Sequence, residues 1–153
     1  GDGASASIWE GTPRDGGLRL DRFDTLHLPE DRGLLRFTSN QGKLRNILSP
    51  LVPERAGVAV RTLYERADAS DAVEVLPHPG GREVLRALEA SLGRPLAPEA
   101  SDVLRRYGNL SSPSVLFVLE AVLEREEVPR EIWLSSFGAG FSCHSCRAVM
   151  VGG

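Results

Sequence analysis

The 153-residue chain is poor in sulfur and in aromatic rings, with two cysteines, one methionine, two tryptophans, two tyrosines and five phenylalanines. Two cysteines cannot build the disulfide framework on which small secreted domains rely, so a reducing cytoplasm is the expected compartment. Apolar runs stop well short of the ~18–20 residues of a membrane span, and no basic start with an apolar stretch marks a secretion signal. A cationic excess is missing as well. The net charge is -3 and the pI about 5.7, which removes the field a nucleic-acid binder uses. No residue stands out as a nucleophile. What remains is 41% apolar and 25% charged, the composition and length of one globular domain with a core of its own.

The chain opens GDGASASIWEG, without a methionine, and reads as a piece of a longer protein. Small residues alternate over 4–9, the pattern of a strand packed against neighbouring backbone. Gly11 to Gly17 is a turn by composition, and Leu18, Leu20 and Phe23 alternate with charges as a strand with one wet face. Residues 29–42 read as irregular structure, and 43–48 and 55–67 as short helices separated by Pro50 and Pro53. A strand is expected over 72–76. Over 82–92, Val84, Leu85, Leu88 and Leu92 line one helical stripe that Gly93 ends. Pro98 begins a further helix, and Gly108 stops it. Ser111 or Ser112 can cap the next one, with Pro113 in its first turn. That helix is apolar nearly all round through Leu123, so it is expected between layers. Strands over 131–137 and 141–151, joined at Gly138-Ala139-Gly140, complete a layered α/β domain: a layered sheet with a buried helix.

Two residues carry candidate chemistry. His78 stands between Pro77 and Pro79, which hold its backbone extended. Gly80 and Gly81 after it permit close approach of a ligand, and the helix beyond turns its positive end to the spot. Asn109 follows Gly108 and precedes the apolar helix. An imidazole and a carboxamide at element ends suit a site that orients a carbonyl or stabilises negative charge. The plain alternatives are a loop histidine, and an asparagine that merely finishes one helix.

The segments HPGGREVL, YGNLSSPSVLFVLE and FGAGF, with the opening GDGA, resemble the C-terminal half of the type III polyketide synthases, the chalcone and stilbene synthase group. The resemblance runs along essentially the whole chain. It implies the C-terminal half of a thiolase-like fold, a homodimer, and a Cys-His-Asn site. There a thiolate takes an acyl group from acyl-CoA, and the carbanion left by malonyl-CoA decarboxylation attacks the thioester. His78 and Asn109 match the family's His and Asn. Phe37 lies near a gating phenylalanine, and Ser111 and the Gly138-Ala139-Gly140 loop match positions that shape the substrate cavity; Gly80 and Gly81 join them as substrate-binding candidates through the close approach they permit. The cysteine of such a site belongs to an N-terminal half that is not part of this sequence, so the chain alone is expected to be inactive. No cofactor or metal is implied beyond the two CoA substrates, nor any nucleic-acid or membrane partner. Two departures stand out: Ala139 where the family has proline, and Ser136 where it has glycine. A ketoacyl-ACP synthase III-like enzyme is the nearest alternative, and Pro79-Gly80-Gly81 argues against it. A non-catalytic domain of the same fold is the other. Cys143 and Cys146 form one C-x-x-C around His144 in a strand pattern, too little for a zinc site, and are read as structural. Trp9, Trp133 and Tyr107 are read as core or rim packing.

Overall fold

A computed structural model describes residues 2–12 and 14–152, with Leu44 by its backbone only. Its centre is a four-stranded sheet in the order β1-β6-β5-β4, made of β1 (Leu18–His27), β4 (Glu74–Pro77), β5 (Glu131–Gly138) and β6 (Ser142–Met150). β6 runs antiparallel to both neighbours, and β4 is parallel to β5. That parallel pair requires a crossover. It is supplied by α2 (Arg82–Leu92), α3 (Pro98–Tyr107) and α4 (Ser114–Leu123). Before β4 come a hairpin of β2 (Leu35–Asn40) and β3 (Lys43–Leu48), and α1 (Val52–Ala67).

Each sheet face has its own core. On one, Val60 and Leu63 of α1 and Val84 and Leu88 of α2 pack with Val75, Trp133, Phe141 and Cys143. On the other, Val118, Leu119 and Val122 of α4 and Ala100 and Val103 of α3 pack with Leu76, Ile132 and Ala148. α4 therefore lies against the sheet as its composition demands, with Leu119 buried and Phe117 half-buried. Its far side is only half covered: Leu123 is exposed. α2 and α3 span the predicted ranges, each closed by the predicted glycine, and Gly93 takes the left-handed conformation.

Four expectations are corrected. Residues 4–9 form no strand and are exposed; alternation marks a segment able to join a sheet, and no described edge pairs with it. Of the two readings of Trp9, core or rim, the core one falls: it is 54% exposed and lines the cleft beside α4. Residues 35–40 and 43–48 are a hairpin rather than a loop and a helix. Gln41 and Gly42 both have positive φ, 51° and 74°, which is the two-residue turn whose twist matches paired strands. Apolar residues at 44, 47 and 48 fit either period, and the turn decides between them. Finally, no serine side chain caps α4: Pro113 holds the cap position, and Ser114 Oγ instead accepts from Leu110 N–H at 2.9 Å.

Candidate active site

His78 continues β4 past its last residue, its N–H donating to Ser135 O at 2.7 Å. His78 is 8% exposed, and its ring meets Phe137 edge-on, centroids 5.9 Å apart. Glycine at position 80 makes this possible. A Cβ there would lie 3.3 Å from Phe137 Cζ and 3.4 Å from His78 Cδ2, with His78 Nε2 at 3.6 Å. Gly81 is different, since a Cβ there would meet nothing and its φ of 163° is ordinary extended backbone.

Asn109 reaches the same place from the α3–α4 connection. Gly108, at φ 75°, turns the chain out of α3. Asn109 Oδ1 then accepts Ser111 N–H at 2.8 Å, which settles which edge of the carboxamide faces where. Nδ2 donates to Gly80 O at 3.1 Å. Ser111 is held at φ 64°, a conformation that costs a non-glycine residue of order 1 kcal/mol and that clusters at functional sites. The imidazole of His78 and the amide of Asn109 thus converge on one glycine from separate connections.

The other predicted positions surround this point to different degrees. Gly138 closes β5, and Ala139 is exposed at the tip of the β5–β6 turn. That turn is tied down by Gly140 N–H to Leu35 O (3.0 Å) and Leu28 N–H to Phe141 O (3.0 Å). The first bond links it to the root of β2, where Phe37 stands 53% exposed on the hairpin. No hydrogen bond or ring contact joins Phe37 to His78.

Burial alone lowers the pKa of His78 below its ordinary value, favouring the neutral ring. The thiols are pushed the other way. Burial takes Cys143 up to about 12, and burial with the nearby Asp21 carboxylate takes Cys146 to about 11. Neither is a thiolate near neutrality. They also point to opposite faces: Cys143 packs with Trp133 and Phe141, whereas Cys146 lines a cleft of about 260 Å³ on the α4 side.

Sequence reasoning passed over a polar row along β1 and β6, of which His144 also lines that cleft. His144 Nδ1 lies 3.0 Å from Thr25 Oγ1, and the register sets His144 between Thr25 on β1 and Ser136 on β5. His27 Nδ1 is 2.8 Å from Ser142 Oγ. The strand expected over 141–151, which puts 142, 144 and 146 on one face, was the available signal. Among the described residues, no group of three or more His, Cys, Asp or Glu could hold a metal ion, and no helix is long and apolar enough to cross a membrane.

Residues 35–142 match the family model for the C-terminal domain of chalcone and stilbene synthases. The 3,5-dihydroxyphenylacetyl-CoA synthase of Amycolatopsis orientalis is 31% identical over 141 residues, 85% of this chain and 38% of that protein. An alpha-pyrone synthesis polyketide synthase-like protein, Pks18, of Mycobacterium tuberculosis is 39% identical over 67 residues, 42% of this chain and 16% of its own length. Among solved structures, the C-terminal type III polyketide synthase domain of Steely1 from Dictyostelium aligns with TM-score 0.79 at 22% identity, covering 88% of this chain and 40% of that one. The 1,3,6,8-tetrahydroxynaphthalene synthase of Streptomyces coelicolor aligns with TM-score 0.77 at 21% identity, covering 90% and 42%. The chain thus spans about two fifths of the length of these structures, and its mixed α/β fold is that of their thiolase-like C-terminal part. By the matched domain, which holds both His78 and Asn109, the chain belongs to the chalcone and stilbene synthase family as its C-terminal domain.

Proposed function

We propose that this chain supplies the histidine and asparagine of a condensing site in a type III polyketide synthase-like acyltransferase of the cytoplasm. The site is completed by an N-terminal half that carries the nucleophilic cysteine, in an enzyme that works as a homodimer. The observation that carries this reading is the meeting of His78 and Asn109 on Gly80.

In the proposed cycle the cysteine thiolate attacks the carbonyl of an acyl-CoA and expels the CoA thiolate. Malonyl-CoA then loses CO₂. The electron pair of the broken C–C bond becomes an enolate on the thioester, whose carbon attacks the acyl-cysteine and releases the cysteine. His78 Nε2 and Asn109 Nδ2 are the donors assigned to the thioester oxygen as enolate charge gathers there. Burial favours the neutral ring of His78; a thiolate beside it would favour the imidazolium, and the pair would then titrate together. Ser111, Phe37, Gly138 and Ala139 are assigned to the cavity wall, and Gly80 and Gly81 to the path of the incoming thioester.

In the full protein, His78→Ala should cut condensation at least ~10²-fold, the usual loss for a positioned acid–base or oxyanion group. Asn109→Ala should slow malonyl decarboxylation more than acyl loading. A His78→Ala enzyme with normal turnover would remove the mechanism and leave the fold standing. The isolated chain, mixed with a panel of acyl-CoAs, should show no acyl adduct by intact mass; a stoichiometric adduct on Cys143 or Cys146 would overturn their assignment as structural.

A further inference from the structure

Between residues 33 and 49 the chain holds Arg36, Lys43 and Arg45 and no acid, although its net charge is -3. The hairpin register pairs Arg36 with Ile47, Thr38 with Arg45 and Asn40 with Lys43. Residues directly opposite share a face, as do alternate residues along a strand. Arg36, Arg45 and Lys43 therefore stand on one face, with Thr38 and Asn40 between them. All three cations are exposed, and none has an ion pair or hydrogen bond among the described residues. This contrasts with Arg55, Arg125 and Arg147, which are engaged by carboxylates.

The opposite face of the arm carries Phe37 and Leu48. With Ser49 and Pro50, Leu48 forms one lip of an open groove of about 1100 Å³, and Gly80, Gly81 and Arg82 line the other. The arm thus flanks a groove that reaches Gly80, the glycine on which His78 and Asn109 converge.

We propose that the cationic face of the β2–β3 arm docks the carboxylate-rich surface of an acyl-carrier protein, so that a thioester on the carrier's pantetheine arm enters along the groove. The proposal rests on the reading of the chain as part of a thioester-condensing enzyme. Three features select this partner. The cations form an open row about 13 Å long, from four residues of strand at ~3.4 Å each. Their two-residue spacing, about 7 Å, is near the ~5–6 Å between carboxylates at i and i+3 or i+4 on a helix. A phosphate group instead asks for donors that converge on a point. The row also faces away from the groove side of the arm, so it suits a partner larger than the arm itself. Opposed fields of this kind mainly raise association rate and set partner choice.

The test uses the full protein that carries this chain, unchanged and as the triple variant Arg36→Glu, Lys43→Glu, Arg45→Glu. The probes are malonyl-loaded acyl carrier protein from a bacterial fatty acid synthase, fluorescently labelled for binding, and malonyl-CoA. The parent should bind the carrier with an affinity that falls as salt rises. The triple variant should lose at least tenfold in carrier affinity and in carrier-dependent kcat/KM, with kcat/KM for malonyl-CoA held within twofold. A charge-preserving control, Arg36→Lys with Lys43→Arg, should bind as the parent does. Equal losses with both thioesters would mark the arm as a site for the phosphates of CoA and overturn the proposal. So would a parent that does not bind the carrier, or binding indifferent to the three reversals. A parent that binds the carrier through the arm yet condenses neither thioester would sustain the docking surface and sink the condensing function.

Discussion

The two faces of the four-stranded sheet are finished to different degrees. On the α1 side, Val75, Trp133, Phe141 and Cys143 are all 1% exposed or less, and α1 and α2 close over them. On the α4 side the seal extends only as far as the helix. Beyond it Phe23 is 70% exposed, and a cleft opens over Leu134, Ser136, His144 and Cys146. A sealed face spends its side chains on stability, whereas an open one keeps them available to a ligand or another part of the protein. The charged groups divide as well, though not by sheet face: Arg125 clamps Glu74 and Glu99 across α3, α4 and β4, while the arm's cations have no ion pair or hydrogen bond among the described residues.

The sharpest way to break this contrast is to truncate on each side. Trp133→Ala should destabilise by ~3–5 kcal/mol, the cost of emptying a large aromatic site. Phe23→Ser should stay within about 0.5 kcal/mol, as exposed positions do. Urea unfolding of the two variants measures both, and a costly Phe23→Ser would show that the open face is already packed.

A smaller effect is expected at the clamp. Arg125→Met leaves two carboxylates without their donor and should destabilise by roughly 1–3 kcal/mol near neutral pH. The bond from Arg125 holds the Glu99 carboxyl below its ordinary 4.5. A depressed carboxyl adds stability that is fully present above its unfolded value and is lost as pH falls through its folded one. The gap between parent and Arg125→Met should therefore narrow below about pH 4.5. Unfolding midpoints from pH 7 to pH 3 would show it, and a gap that widens with acid would refute the assignment.

The cysteines sharpen the comparison by rate. With thiol values of about 12 and about 11, both should react slowly with a disulfide reagent at pH 8, Cys146 ahead of Cys143 because it lines the cleft. In urea both should react quickly. A fast native Cys143 would mean that the α1 side opens readily. The smallest effect is expected at Ser135, whose buried hydroxyl has no hydrogen-bond partner among the described residues. Ser135→Ala should change stability by no more than about 0.5 kcal/mol, because no hydrogen bond is lost.

Legibility in the sequence followed the same line between local and distant causes. α2 and α3 could be read closely because stripe, start and stop all lie within the segment: Pro98 opens one, and Gly93 and Gly108 close the two. The strand over 4–9 could not be judged, since a strand exists only by virtue of its neighbour. The 43–48 segment was misjudged because Gln-Gly is a weaker hairpin signal than Asn-Gly, although its positive φ angles do the same work. At the site, His78 and Asn109 were legible as residue types in rigid surroundings and through the family they resemble. Their meeting at Gly80 was not, for it depends on how the α3–α4 connection lies against the end of β4. His144 was not, because its neighbour Thr25 comes from a strand far away in the chain.

The pairing of β1 with β6 joins residues from opposite ends of the chain, Leu18 with Met150 and His27 with Ser142. During synthesis β1 is made well before its partner. At ~5–20 residues per second the ribosome needs roughly 6–25 s to span the residues between them. Over that interval β1 is a strand edge without a neighbour, the kind of surface that recruits wrong partners. Closing so long a loop also places this pairing late, after the local α1–α2 and β2–β3 contacts have formed. The edge strand nearest the open cleft is thus the last part of the sheet to be secured, and the ordering of that cleft is timed by the arrival of β6.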